Sequence, residues 1–185
     1  MEEELYEDLK ANFEKTFGAL RRELSRVRSG RANVNLLDNV KVPYYGEPTA
    51  ISQVASLQVP EPRMITIKPW EKTMLKEIER ALQQSNLGIT PSNDGTVIRL
   101  SVPPLTEERR RDLSRQVQKH GENGKVSVRN SRRDANAMLK ALQKDGDLTE
   151  DDLKRALDRV QTLTDEAVKQ LDEIVGSKEE ELMEV

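Results

Sequence analysis

Three arginines fall within five consecutive positions, Arg129, Arg132 and Arg133, in the run Val128-Arg129-Asn130-Ser131-Arg132-Arg133-Asp134-Ala135-Asn136. The run lies inside a long segment of helical periodicity. Residues three and four apart share a helix face, so Arg129 stands beside both Arg132 and Arg133. A guanidinium keeps its proton and presents a planar fork of donors that matches phosphate oxygens. A rigid cluster of them suits a phosphate backbone better than catalysis.

At about 100° per residue with Arg129 at zero, Arg111 falls near 0°, Arg115 and Arg133 near 40°, Lys125 near -40° and Arg132 near -60°. Leu113, Val117, Gly124, Val128, Ala135 and Leu142 gather on the opposite side, at roughly 200° to 260°. The segment therefore reads as one helix with an apolar seam and a basic ridge, interrupted mainly by Glu122. The charges on this ridge are not laid out as i,i+4 pairs with acids, and arginine is favoured over lysine.

Other residues offer little chemistry. His120 is the only histidine and reads as a surface residue; the chain has no cysteine, which removes thiol nucleophiles and cysteine zinc sites. No carboxylate has a His or Cys partner at metal-ligand spacing, so no catalytic residue, metal or cofactor is expected. Gly88 and Gly95 flank Pro91-Ser92-Asn93-Asp94 and read as turn chemistry. Two Phe, three Tyr and one Trp are too few for a stacking platform on single strands. Contacts to phosphates and to the shape of structured RNA fit better than base reading. Trp70, after Pro69, is expected to pin a neighbouring helix to its sheet.

Three amphipathic segments must position the ridge. In the first, Tyr6, Leu9, Phe13, Phe17, Leu20, Leu24 and Val27 step by three or four, and Gly30 is the expected stop. The second opens at Pro103-Pro104-Leu105-Thr106-Glu107-Glu108 with Thr106 as N-cap, and carries Met138 with the apolar set above. It is expected to run unbroken through Gly121 and Gly124, because the apolar phase agrees on both sides of them. The third follows Thr149 as N-cap, with Leu153, Leu157, Val160, Ala167, Leu171 and Ile174 as its seam. Each needs the others to cover its seam, which predicts a three-helix bundle.

From about Ala32 to Val102 the texture changes to proline-punctuated short runs. Strands are predicted at Val40–Tyr45, Met64–Lys68 and Thr96–Val102, with a helix over Glu71–Ser85. The fold class is therefore α+β: an elongated bundle from residues 1–30 and 105–185, with a β/α/β insert at 31–104. Gly30, Arg31, Ala32, Pro103 and Pro104 lie at the two crossings and form the expected hinge.

The net charge of -3 hides segregation. Leu105–Lys140 holds ten Lys/Arg against five Asp/Glu, whereas Asp145–Val185 holds five against fourteen. The N-terminus is acidic where a targeting peptide would be basic, and no apolar run approaches the roughly 18 residues that span a bilayer. A soluble, cytoplasmic protein without a membrane partner is expected, acting as a monomer.

Over essentially its whole length the chain resembles bacterial ribosome recycling factor. The resemblance rests on Arg28-Ser29-Gly30-Arg31-Ala32, on Asn86-Leu87-Gly88-Ile89-Thr90-Pro91 with Asn93-Asp94-Gly95, and on Pro104-Leu105-Thr106-Glu107-Glu108-Arg109-Arg110. It extends to Val128-Arg129-Asn130 with Arg132-Arg133-Asp134-Ala135-Asn136, and to Lys178-Glu179. It implies a long three-helix bundle with a smaller domain set at a steep angle, an L shape. It also implies recycling of ribosomes after termination, together with elongation factor G and GTP. The bundle would lie on large-subunit ribosomal RNA near the peptidyl site. Contacts would fall on Arg129, Arg132 and Arg133, supported by Arg28, Arg31, Arg109 and Arg110, while the smaller domain would meet elongation factor G. Ser131 departs from the bulky aliphatic usual in the family and implies a looser local seam. Asn33-Val34 departs from a small polar residue followed by proline, next to the hinge. Rival readings of the residues alone are a helical protein adaptor with a solvated basic face, and a hydrolase with a carboxylate pair assembled by folding.

Overall fold

A computed structural model describes residues 2–184. In chain order the elements are α1 (Glu2–Ser25), β1 (Lys41–Tyr44), β2 (Glu47–Ala50), the single-turn α2 (Ile51–Val54), β3 (Ala55–Glu61), β4 (Met64–Pro69), α3 (Leu75–Gln84), β5 (Pro91–Asn93), β6 (Ile98–Ser101), α4 (Glu107–Lys144) and α5 (Glu150–Met183). Short 3₁₀ turns precede β1 and α3, at Val34–Leu37 and Lys72–Met74. The chain divides into two compact units, one comprising residues up to Arg28 with Glu108–Glu184, the other Ser29–Glu107.

The first unit is the bundle of α1, α4 and α5. Helix α1 buries Tyr6, Leu9, Phe13, Phe17, Leu20 and Leu24 along one stripe. It ends at Ser25, five residues before the expected stop. Arg26 and Val27 N–H groups then donate to the carbonyls of Glu23 and Leu24, three residues back, tightening the exit while Val27 stays buried. Gly30 does adopt φ +76°, but as a loop residue beyond that exit. A Cβ there would also lie 3.0 Å from Leu105 Cγ, so glycine is needed twice over. Helix α5 starts as expected, with Thr149 Oγ1 accepting from the Asp152 N–H at 3.1 Å.

Helix α4 runs unbroken through both glycines, and packing explains why they are there. A Cβ on Gly121 would come within 2.7 Å of Val175 Cγ2, and one on Gly124 within 3.2 Å of Leu171 Cδ2. The glycines let α4 approach α5, at a cost in helix propensity of about 1 kcal/mol each. Rising numbers on α4 meet falling numbers on α5, so the two run antiparallel. The seam of α4 is rotated slightly from the expected one. Leu139 is fully buried where Met138 was expected, and Met138 is 60% exposed. Ser131, at the departure from the family pattern, is half-buried.

The second unit is built on an antiparallel sheet ordered β3-β4-β6-β5, plus a β1-β2 hairpin. Ile65, Ile67, Ile98 and Leu100 point to one side of the sheet by strand alternation and share a core with Leu75, Ile78 and Leu82 of α3. Trp70 does not pin α3: it is 69% exposed, and the neighbouring α3 face is sealed by aliphatic residues instead. What the segment after Pro69 does hold is Glu71, whose carboxylate accepts from the Tyr44 hydroxyl at 2.8 Å. Asn33 orders the chain after Ala32, its Oδ1 accepting from the Asn35 N–H at 2.9 Å.

Candidate nucleic-acid interface

The outward side of α4 divides into two rows when its neighbours are in place. Arg129 and Arg133 are exposed, and among the described residues neither has an acidic partner. Both sit on a helix whose position is fixed by a buried seam at Val128, Ala135 and Leu139. Guanidinium groups on so rigid a base lose little further backbone entropy on meeting a ligand.

Lys125 and Arg132 form the second row, turned toward α5. Lys125 Nζ lies 2.8 Å from Asp172 Oδ1 on α5 and 3.5 Å from Glu122 on its own helix. The hydrogen bond to Asp172 raises the Lys125 pKa, against a smaller desolvation effect in the other direction. Arg132 is half-buried, and its Nη1 donates to Gln161 Oε1 of α5 at 3.1 Å. Its Nε is buried and has no partner in the protein.

The ridge holds fewer unpaired charges than the helical wheel suggests. Lys125 pairs with Glu122, and Arg115 lies 3.6 Å from Asp112, both at i,i+3 spacing, so part of the ridge is laid out as local ion pairs. Exposed pairs of this kind are worth little energy, but they dilute the positive field. The undiluted charge is narrower than the sequence suggests and centres on Arg129 and Arg133.

The supporting arginines are spread out. Arg109 is exposed and Arg110 half-buried in the first turn of α4. At 1.5 Å per residue they stand about 30 Å along the axis from the Arg129–Arg133 cluster. Arg28 is an exposed residue of the loop after α1, and Arg31 is an exposed residue of the second unit. At the two crossings the backbone is bonded into the second unit: the Ala32 N–H donates to Pro62 O at 2.7 Å, and the Val102 N–H to Arg63 O at 2.8 Å. Both crossings are thus tied to the β3–β4 turn, leaving Gly30, Arg31, Pro103 and Pro104 outside those bonds.

Two further residues belong to the surface and were not foreseen. Gln161 bonds Arg132, and Asp165 accepts from Gln161 Nε2 at 2.8 Å. Only tertiary structure brings them to α4, so no spacing in the sequence announces them. Among the described residues, no group of three or more His, Cys, Asp and Glu side chains could hold a metal ion. None of the described helices is long and apolar enough to cross a membrane.

Comparison with known proteins decides the family. The family model described as Ribosome recycling factor matches residues 20–183. The chain belongs to the ribosome recycling factor family. Among its relatives, the ribosome-recycling factor of Myxococcus xanthus is 56% identical over 178 residues, covering 96% of each chain. That of Halalkalibacterium halodurans is 53% identical over 185 residues, covering both chains completely. The solution structure of a ribosome recycling factor superimposes with a TM-score of 0.73 at 36% identity, covering 100% of this chain and 98% of that one. A second solved structure is a model of the Thermus thermophilus (T. thermophilus) factor, described with Escherichia coli (E. coli) elongation factor G bound to the E. coli post-termination complex. It matches at a TM-score of 0.63 and 41% identity over 98% of each chain.

Proposed function

We propose that this protein recycles ribosomes after termination by binding large-subunit ribosomal RNA near the peptidyl site through the outward face of α4. With elongation factor G and GTP it splits the post-termination complex into subunits. Ribosome recycling is the function of its family, and the protein is a translation factor, not an enzyme, that works in the bacterial cytoplasm. Its partners are the post-termination ribosome and elongation factor G, the assembly in which a related factor has been placed.

The observation that carries the RNA assignment is the pair Arg129 and Arg133, exposed and without acidic partners on a helix locked into the bundle. Arg132 contributes from the α5 side, and Arg109, Arg110, Arg28 and Arg31 would reach phosphates farther off. The mechanism is mechanical. The bundle is a rigid lever anchored on RNA, residues 31–104 form the domain that receives force from the GTPase, and bending falls at Gly30, Arg31, Ala32, Pro103 and Pro104.

Light scattering of post-termination ribosomes mixed with elongation factor G, GTP and the protein tests this reading. Wild type produces a fall in scattering as subunits separate, and Arg129→Ala/Arg133→Ala slows it strongly. Splitting at the wild-type rate by that variant removes the assignment.

A further inference from the structure

We infer that Gln161 of α5 is a positioning residue for Arg132, oriented in turn by Asp165, and that it fixes the guanidinium while leaving its positive charge available to an RNA phosphate. This rests on the reading of α4 as the RNA-binding face and names how that face is built.

The two cations on the α5 side of α4 are treated differently. Lys125 meets a carboxylate, Asp172, at 2.8 Å, so its charge is neutralised inside the protein. Arg132, two turns further on, meets the neutral amide of Gln161 at 3.1 Å. A carbonyl oxygen accepts a hydrogen bond from the guanidinium without cancelling its charge. The other Nη hydrogens are not used in that bond and remain for a phosphate oxygen.

The amide must face one way to do this. If its oxygen and nitrogen exchanged places, an NH₂ group would confront a guanidinium, donor against donor. Asp165 prevents that exchange: its Oδ1 accepts from Gln161 Nε2 at 2.8 Å, one turn along α5. The chain Asp165–Gln161–Arg132 therefore runs acceptor to donor with a single consistent polarity. Arg132 Nε has no protein partner, so among the described residues the Gln161 bond is the hydrogen bond that sets the plane of the guanidinium.

The test measures binding of full-length variants to isolated large ribosomal subunits over a salt series. Gln161→Leu removes the bond and is expected to weaken binding between about twofold and tenfold, the range of one hydrogen bond's net contribution. Gln161→Glu keeps the shape but turns the contact into an ion pair. It is expected to weaken binding at low salt and to lower the slope of log affinity against log salt by about one, the share of a single phosphate. In an Arg132→Ala background Gln161→Leu should do nothing further. Thermal unfolding of every variant accompanies the binding data, because a purely structural role would move stability and leave the salt slope unchanged.

Wild-type affinity and slope in both Gln161 variants, with Arg132→Ala weakened, overturn the positioning role alone. A full additive effect of Gln161→Leu in the Arg132→Ala background also overturns it. Wild-type binding by Arg132→Ala itself removes both this role and the assignment of Arg132 to RNA.

Discussion

Replacing Gly121 with alanine puts the packing of α4 against α5 to a strict test, because the structure predicts a sign that helix propensity alone would reverse. In an exposed helix the change should stabilise by about 1 kcal/mol. Here the added methyl would lie 2.7 Å from Val175 Cγ2, about 1 Å inside the ordinary carbon–carbon separation. Overpacking of that kind costs about 2 kcal/mol, leaving a net loss of about 1 kcal/mol. In a chain of this size that corresponds to about 3 °C in Tm. Shortening the opposing side chain removes the offending atom, so in a Val175→Ala background the same Gly121→Ala change should stabilise by about 1 kcal/mol. The assay is urea denaturation of the four proteins of the cycle, followed by helical circular dichroism, with equal m-values required for comparison. The predicted coupling between the two positions is about 2 kcal/mol. If Gly121→Ala stabilises the wild-type background, α4 and α5 do not approach at Gly121 and the explanation for both glycines is wrong.

The rotated seam gives a second contrast: Leu139→Ala should cost about 3 kcal/mol and Met138→Ala less than about 0.5 kcal/mol in the same denaturation assay. Thr149→Ala removes the acceptor for the Asp152 N–H and should lower stability by about 1 kcal/mol, read as a drop in Tm. Another prediction concerns pH. Asp94 is held down to about 2 by the N–H groups of Val97 and Thr96 and then by Arg99. A carboxylate with a depressed folded-state pKa stabilises above its unfolded pKa, about 4, and loses that contribution as pH falls through the folded value. The stability gap between wild type and Asp94→Asn should therefore be full at neutral pH and close between about pH 4 and 2. A gap that is unchanged at pH 2 would contradict the turn geometry.

Much of this architecture was legible because it rests on local periodicity. The seam of α1, the continuity of α4 and the Thr149 cap follow from apolar phase and end signals. The central strands β4 and β6 alternate clearly because one face of each is fully buried. The two strands of that sheet which the pattern does not announce, β3 and β5, are its edges. β3 is exposed along most of its outer half and β5 opens with proline, which an edge position tolerates.

The basic face was legible in position but not in organisation. On the helical wheel, Leu139 and Gly121 fall near 280° and Arg132 near 300°. With Leu139 in the core, Arg132 borders the seam and must meet α5. Placing Met138 in the seam hides that, and makes Arg132 look like a free member of the ridge. What waits for it on α5, a glutamine held by an aspartate, depends on the antiparallel register. The glycines that set this close approach carry no side chain to announce it. The end of α1 was misplaced for a related reason: Gly30 supplies the left-handed residue, but the helix tightens and stops before it.

Sedimentation binding to isolated large ribosomal subunits across a salt series tests the central claim most directly, comparing wild type with Arg129→Ala/Arg133→Ala. The protein should bind with strong salt dependence. The double variant should bind far more weakly, with a slope lower by about two because two phosphates are no longer neutralised. Equal affinity and equal slope for the two proteins would contradict the claim that the outward face of α4 is the RNA anchor.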